Sequence, residues 1–387
     1  MNGKRLASMV LALAGFAMAA AVSVAVSTAA PARASATAAG SAASCGGSVG
    51  VMGSFTGDRA SIGQEELHWA RFAVSQFNAQ NGTDFKAVEG DFADDPAQSS
   101  TIAQQFVSNS SILAVAGPDA SSAVVTVGGL FKKAGMAFIS GSATRVSLTN
   151  GDYPTFFRVV PNDGIQAPTD ANFMIKRLHA KKVVLVDNQT DYSKALNDAV
   201  EKVLKAAGVS VSRVQTTTTQ SDFSDLVATI GPDVSVVFLP IEVPADAELL
   251  AQQLASQGKH TTVFGSDSVF SPKDFHPNGA YVSAFAPDIH ELSGDAKLVA
   301  SFKSAYGNFS TPFGPPVYTA TNVILRAIKA ACAQGQPTRA SVLAQVRKTK
   351  IAKTILGGPL SFSKHGEPTS TSFFVYKIEN GVYKLVH

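Results

Sequence analysis

The sequence offers almost nothing to a metal ion or a covalent catalyst. It holds 2 cysteines and 7 histidines in 387 residues. There is no His-x-x-x-His, no Cys-x-x-Cys and no calcium loop of regular Asp spacing, so no metal centre is expected. No Gly-x-Ser-x-Gly elbow places a serine at a strand–helix turn. His68 and His179 fall in helical stretches, and His260, His276, His290, His365 and His387 in loops or at the tail, so no strand end pairs a serine with a base. Neither glycine-rich nucleotide motif stands at a strand–helix junction, and no cofactor is implied.

Excess charge is missing as well. The chain carries 32 basic and 29 acidic residues, and residues 1–34 hold three of the basic ones (Lys4, Arg5 and Arg33) with no acid. The rest has 32 − 3 = 29 basic against 29 acidic residues. That balance removes the electrostatic case for nucleic acid or an anionic membrane surface.

Only one long apolar run exists. Leu6–Ala30 follows Lys4-Arg5 and precedes the small-x-small site Ala32-Arg33-Ala34, so residues 1–34 read as a secretory signal peptide. A membrane anchor is the alternative. Residues 35–48 are dominated by Ala, Ser, Gly and Thr and read as a flexible linker. In an exported chain the two cysteines, Cys45 and Cys332, read as one possible disulfide. Lipidation of Cys45 is the rival, although Ala42-Ala43-Ser44-Cys45 is a poor lipobox.

What is present is a strand–helix rhythm, run twice. Apolar runs such as "ILAVAG", "MAFIS", "KVVLVD" and "DVSVVFLP" alternate with helical stretches such as "IGQEELHWARFAVSQFNAQNG". Helices are predicted over 96–107, 121–133, 166–179, 193–207, 222–230, 244–257, 296–306 and 317–333. In the last, Val317, Ala320, Ile324, Ile328 and Ala331 form the inner stripe. Asp94-Asp95-Pro96 reads as a helix cap. "PLSFSK" and "SFFVYKIENGVYKL" read as strands, with Asn380-Gly381 a hairpin turn. Continuously apolar strands imply α/β architecture, two parallel sheets each covered by helices on both faces.

Ligands of open parallel sheets sit beyond the carboxyl ends of the strands. Residues just after strands are therefore the informative ones: Ser54–Gly57, Asp91, Gly117–Ser122, Ser140–Thr144, Asp187–Tyr192, Pro240–Glu242 and Gly265–Ser268. Gly117–Ser122 leads straight into a helix, whose first N–H groups and dipole attract anions. Ser121 and Ser122, with Ser142 and Thr144 on the neighbouring strand end, add hydroxyls. This makes a carboxylate cradle without an arginine; helix capping by Ser121 or Ser122 is the plainer alternative. Asp267 and Glu242, at strand ends of the second half, are carboxylates to which a ligand ammonium would be welcome. The pattern describes a receptor for a zwitterion.

"VGVMGSFTGDRASIGQEELHWARFAVSQFN", "EGDFADDPAQSSTIAQQFV", "AVAGPDASS", "FISGSATRVSLT", "FFRVVPND" and "DFSDLVATI" resemble the leucine/isoleucine/valine-binding proteins. These are extracytoplasmic solute-binding proteins of ABC importers. The resemblance runs from about Val49 to the C-terminus. It implies the type I periplasmic-binding fold: two doubly wound parallel-sheet lobes joined by three crossovers, near 161–164, 284–288 and 356–360. Lobe 1 would comprise 49–162 and 287–357, and lobe 2 163–286 and 358–387. By the same resemblance Ser121, Ser142, Ala143 and Thr144 hold an amino-acid carboxylate. Thr144 and Asp267 hold its ammonium, and Tyr192 comes from the second lobe. Ile62 stands where many members carry an aromatic residue, and Glu242 where they often carry Tyr, which points toward a polar or cationic ligand over leucine. The fold would put both cysteines at the base of lobe 1, implying a Cys45–Cys332 disulfide.

The expected function is an exported, periplasmic or cell-surface, monomeric binding protein. Its partners would be an amino acid (or a small amide or acid) and an ABC permease. A ligand sensor on the same fold, for an amide, urea or aromatic acid, is the first rival. An enzyme on an α/β scaffold is the second, and the missing base speaks against it.

Overall fold

The computed structural model describes residues 45–387 apart from Thr219, Ser370 and Thr371. The expected signal peptide and residues 35–44 of the expected linker lie outside the described residues, and the linker's last residue, Ser48, begins β1.

Six successive buried residues make β1 (Ser48–Gly53). The chain then forms α1 (Ala60–Asn81), β2 (Lys86–Asp91), α2 (Pro96–Ser108), β3 (Ile112–Ala116), α3 (Ser121–Lys133), β4 (Ala137–Ser140) and β5 (Phe156–Arg158). The strands assemble in the order β2-β1-β3-β4-β5, all parallel. β1, β3, β4 and β5 are buried on both faces, as their unbroken apolar runs require. Local signals set the helix ends. Gly82 stops α1 in the left-handed region at φ 61°, and Asp95 caps α2 by accepting from the Ala97 N–H.

A second series follows: α4 (Asp163–Lys176), β6 (Lys182–Asp187), α5 (Asp191–Ala206), β7 (Ser210–Gln215), α6 (Ser224–Ala228), β8 (Val236–Leu239), α7 (Pro244–Ser256), β9 (Thr262–Gly265) and β10 (Tyr281–Ala284). α4 starts three residues before its expected position because the Asn162 side chain caps it. The chain then returns to the first sheet through α8 (Ala296–Tyr306), α9 (Gly314–Cys332) and α10 (Arg339–Val346). α9 packs on α1, β3 and β4, and α10 on β3 and β4. The predicted stripe of α9 is buried at all five positions. Burying each Ile or Val of that stripe is worth roughly 1.5–3 kcal/mol, which fastens the helix to lobe 1.

β11 (Lys350–Ile351) and β12 (Leu360–Ser361) form a separate antiparallel pair. β13 (Phe374–Glu379) and β14 (Val382–Leu385) then join the second sheet, in the order β14-β13-β10-β9-β8-β6-β7. "PLSFSK" contributes β12, which pairs with β11. One expectation changes here: the second sheet is not wholly parallel, since β13 runs antiparallel to β10, and the Asn380-Gly381 turn, both residues at positive φ, folds β14 back. The chain passes between the sheets three times: after β5, after β10, and between α10 and β13.

Cys45, just before β1, is disulfide-bonded to Cys332 at the end of α9, with a Cα–Cα distance of 5.6 Å. Among the described residues no helix is long and apolar enough to cross a membrane.

Candidate functional site: a charged cavity between the lobes

The strand ends of the two sheets meet at a small cavity. Lobe 1 lines it with Arg59, Asp119, Ala120, Ser121, Ser142 and Phe313, and lobe 2 with Tyr192, Glu242, Asp267 and Ser268. Five of the residues expected from sequence thus come together: Ser121, Ser142, Tyr192, Glu242 and Asp267.

Two loops of lobe 1 are stapled to each other before any ligand arrives. The Ser140 hydroxyl donates to the Pro118 carbonyl at 2.6 Å and accepts from the N–H groups of Ser142 and Ala143. Gly117 sits at φ +109°, where a Cβ would lie 2.1 Å from the Met52 carbonyl oxygen, so only glycine lets the β3 loop approach β1 this closely. At the start of α3 the cap position is Ala120, which has no polar side chain, and Ser121 and Ser122 are already helical. The serines therefore do not cap the helix. Its first N–H groups are left for another acceptor, at the positive end of the helix dipole. Ser121 Oγ accepts from the Arg145 N–H at 3.3 Å, leaving its own proton to donate.

The expected hydroxyls divide into three kinds. Ser142 Oγ lies 2.9 Å from Glu66 Oε1 and 3.0 Å from the Asp119 carbonyl. The Ser142 hydroxyl donates toward both acceptors, and burial raises the Glu66 carboxyl well above its usual range against that hydrogen bond. Ser142 is thereby engaged within the protein. Thr144 is 1 % exposed, and its Oγ1 has no hydrogen-bond partner of good geometry. Ser122 is half-buried, and neither it nor Thr144 is among the cavity walls. Ala143 is packed in the lobe 1 core, its carbonyl accepting from Arg158. Ile62 is wholly buried in the core and is likewise not a cavity wall. The turn of α1 that carries it is drawn inward at Gly63, where a Cβ would lie 1.9 Å from the Ser54 carbonyl oxygen.

Lobe 2 brings a second cluster. Asp267 Oδ1 accepts from Tyr192 Oη at 2.7 Å and from Gln166 Nε2. Gln166 also reaches Ser283 at 3.1 Å, and Ser283 donates to Asp170 Oδ2. Asp163 is 1 % exposed, and neither carboxylate oxygen has a partner of good geometry. Burial pushes Asp267 up to about 6 and Asp163 up to about 7. It holds Asp170 well above the carboxylate range, with Asp267 adding like-charge repulsion.

The cavity is not without an arginine, contrary to expectation. Arg59 is 3 % exposed, at the start of α1. Its Nη1 lies 3.3 Å from Asp94 Oδ1 and 3.8 Å from Asp119 Oδ2. Burial alone would weaken its charge, but Asp94, Asp119, Glu242 and Glu66 outweigh burial and hold the guanidinium ionised. Burial pushes Glu242 up to about 7, with Arg59 opposing. Asp91 fixes the loop that carries Arg59: its carboxylate accepts from the N–H groups of Phe55, Thr56 and Ala93 and from the Thr56 hydroxyl. Of the acidic pair read as a cap, Asp95 caps α2 and Asp94 pairs with Arg59. Arg59 was recoverable from sequence, since it lies five residues after Ser54 at a strand–helix junction. Phe313 carried no such signal, because its place depends on α9 folding back to lobe 1.

The arrangement can bind a small polar molecule between an uncapped helix start and buried carboxylates. No histidine lines it. The described residues hold no cluster of three or more His, Cys, Asp or Glu suited to a metal ion.

Known proteins share this fold. The chain is 26% identical over 344 residues to Leu/Ile/Val-binding protein homolog 2 of Brucella abortus, covering 86% of this chain and 90% of the relative. It is 27% identical over 344 residues to the Leu/Ile/Val-binding protein BraC3 of Rhizobium johnstonii, covering 86% and 92%. Among solved structures, the leucine binding protein LivK of Thermotoga maritima superposes with a TM-score of 0.79 at 19% identity, covering 88% of this chain and 98% of that one. The branched-chain amino acid transporter substrate binding protein LivJ of Streptococcus pneumoniae, solved with isoleucine, gives 0.78 at 23%, covering 88% and 99%. Both superpositions carry the two-lobed fold. Residues 48–382, which span both lobes and every wall of the cavity, match the periplasmic binding protein family, and the chain belongs to it.

Proposed function

We propose that the protein captures an α-amino acid between its lobes and delivers it to an ABC importer. One observation carries the reading: the uncapped start of α3 on lobe 1 and the Asp267 carboxylate on lobe 2 line a single cavity. The first suits a carboxylate and the second an ammonium, the two groups that every α-amino acid carries on one carbon. Thr144, whose buried hydroxyl faces Asp163 without a hydrogen bond of good geometry, is assigned to the same head group. Ser121 donates to the carboxylate, and Tyr192 orients Asp267.

Family membership supports binding over turnover: the family consists of substrate-binding proteins. The polar groups converge without a base. The leader-like segment and the two cysteines support export, to the periplasm or the cell surface. The protein would work there as a monomer, closing by hinge motion at the three crossings and docking on a membrane permease.

Calorimetric titration of the mature protein with a panel of amino acids, amides and aromatic acids tests this. At least one α-amino acid should bind, and Asp267→Asn should weaken it about 100-fold, as expected for a lost buried charge-assisted hydrogen bond. Tight binding of an aromatic acid, unchanged by Asp267→Asn, would sink the head-group assignment.

A further inference from the structure

The charges of the cavity fall into two groups. Asp267 and Tyr192 form one, assigned above to the amino-acid head. Arg59, Asp119 and Glu242, with Asp94 and Glu66 behind them, form the other, which that reading leaves unused. The walls contain no Val, Leu, Ile or Met: Ala120 and Phe313 are their only wholly apolar members. A branched aliphatic side chain would therefore be buried against a guanidinium and two carboxyls. It could satisfy none of them.

Two atoms in this second group already lack partners. Arg59 Nε is a buried donor with no acceptor, and Asp119 Oδ1 is a buried acceptor with no donor. The two residues are 3 % and 4 % exposed. An unpaired buried polar atom is costly, and a ligand that pairs both atoms recovers that cost twice. A cationic side chain offers donors only. It would leave Arg59 Nε unpaired and place like charge beside the guanidinium. An anionic side chain offers acceptors only, and it meets Asp119 and Glu242. A neutral group carrying both functions fits each atom: its carbonyl oxygen accepts from Arg59, and its N–H donates to Asp119.

We infer that this end of the cavity selects an amino acid whose side chain ends in a carboxamide or ureido group, over a branched aliphatic one. The inference rests on the α-amino-acid reading for the head group and adds the identity of the tail.

The experiment is calorimetric titration of the mature protein with glutamine, asparagine, citrulline, leucine, isoleucine, arginine, lysine and glutamate. Acetamide and urea are titrated alongside. One carboxamide or ureido amino acid should bind at least tenfold tighter than leucine. The double variant Arg59→Met/Asp119→Ala, which removes both unpaired atoms together, should shift that ratio toward leucine by at least tenfold. Circular dichroism and a cooperative thermal transition report that the variant is folded. Leucine, isoleucine, arginine, lysine or glutamate binding as tightly as the best amide overturns the inference. Binding of acetamide or urea but of no α-amino acid supports the polar subsite and overturns the zwitterion reading. Absence of binding by every amide and ureido compound overturns the subsite itself.

Discussion

Arg145, in the loop after β4, reaches across to Asp191 at the start of α5, with Nη1 3.0 Å from Oδ1. The pair joins lobe 1 to lobe 2. The same Arg145 donates its N–H to Ser121 Oγ, so the interlobe contact and the proposed carboxylate cradle share one residue. The side chains are 28 % and 47 % exposed, which limits the pair to about 0.5 kcal/mol. Asp191→Asn should therefore raise Kd only about twofold, through faster dissociation. The effect should vanish in 0.5 M salt. Stopped-flow release of ligand at two salt concentrations measures it.

Thr144 separates stability from binding. Its buried hydroxyl faces the Asp163 carboxyl without a hydrogen bond of good geometry, so Thr144→Val removes a poorly satisfied polar group while keeping the shape of the side chain. The ligand-free variant should be as stable as the parent, or more stable by up to about 1 kcal/mol. Ligand affinity should fall about tenfold. Chemical denaturation without ligand, combined with calorimetry, reads the two effects separately. A variant that lost stability and kept its affinity would place Thr144 in the scaffold.

Asp163 gives the ligand-free protein a pH dependence. Its folded pKa is pushed up to about 7 by burial, above an unfolded value of about 3.9. More protons are bound in the folded state, so the associated stability is complete below about pH 4 and is lost as pH rises through about 7. Glu242 and Asp267, pushed up to about 7 and about 6, act in the same direction. Melting temperature should fall between pH 5 and pH 8. Asp163→Asn should flatten part of that slope and raise stability at pH 8 by a few kcal/mol at most, since a tenfold change in proton affinity is worth about 1.4 kcal/mol. Thermal scans of both proteins from pH 5 to 8 decide it.

Arg158 and Glu367 make the opposite case. Arg158 is wholly buried on β5, and its Nε donates to Glu367 Oε1 at 2.9 Å. Its Nη1 donates to the carbonyls of Ala143 and Arg145, on either side of Thr144. Arg158 depresses the Glu367 carboxyl against the cost of its burial. That contribution is present above about pH 4.3 and is lost as pH falls below it. Glu367→Gln leaves a buried guanidinium without its counter-charge and should cost about 3 kcal/mol at pH 7. The variant should also bind ligand more weakly, because Arg158 holds the loop that presents Thr144. Urea unfolding at pH 7 and calorimetry test the pair.

The sequence made the α/β rhythm legible because long buried strands and capped helices carry local signals. "ILAVA" and the Ser121–Lys133 helix stand where expected. Strands too short to show an apolar run, such as Phe156–Arg158 and Tyr281–Ala284, did not, and neither did α10. In the site, Ser121, Ser142, Tyr192, Glu242 and Asp267 were visible as residues after strands. Their roles were not all visible, since the engagement of Ser142 by Glu66 depends on a contact 76 residues apart. Ile62 shows the limit of transfer by resemblance: position along the chain says nothing of which way a helix turns its face, and this one turns Ile62 into the core. Arg59 stood at an informative junction, but its partners Asp94 and Asp119 belong to other loops, and the charge cluster exists only after folding.

The division of the cavity walls between two sheets has a kinetic meaning. The helix start, Ser121, Arg59 and Asp119 all belong to lobe 1, with Phe313 just before α9, whose far end the disulfide anchors. Under the proposed hinge closure these lobe 1 residues would stay assembled as the surface on which a ligand lands, setting the rate of arrival. Tyr192, Glu242 and Asp267 would then complete the enclosure as the second lobe closes, and so govern dwell time. Substitutions on the two sides of one small cavity should therefore separate cleanly into slow-capture and fast-release phenotypes.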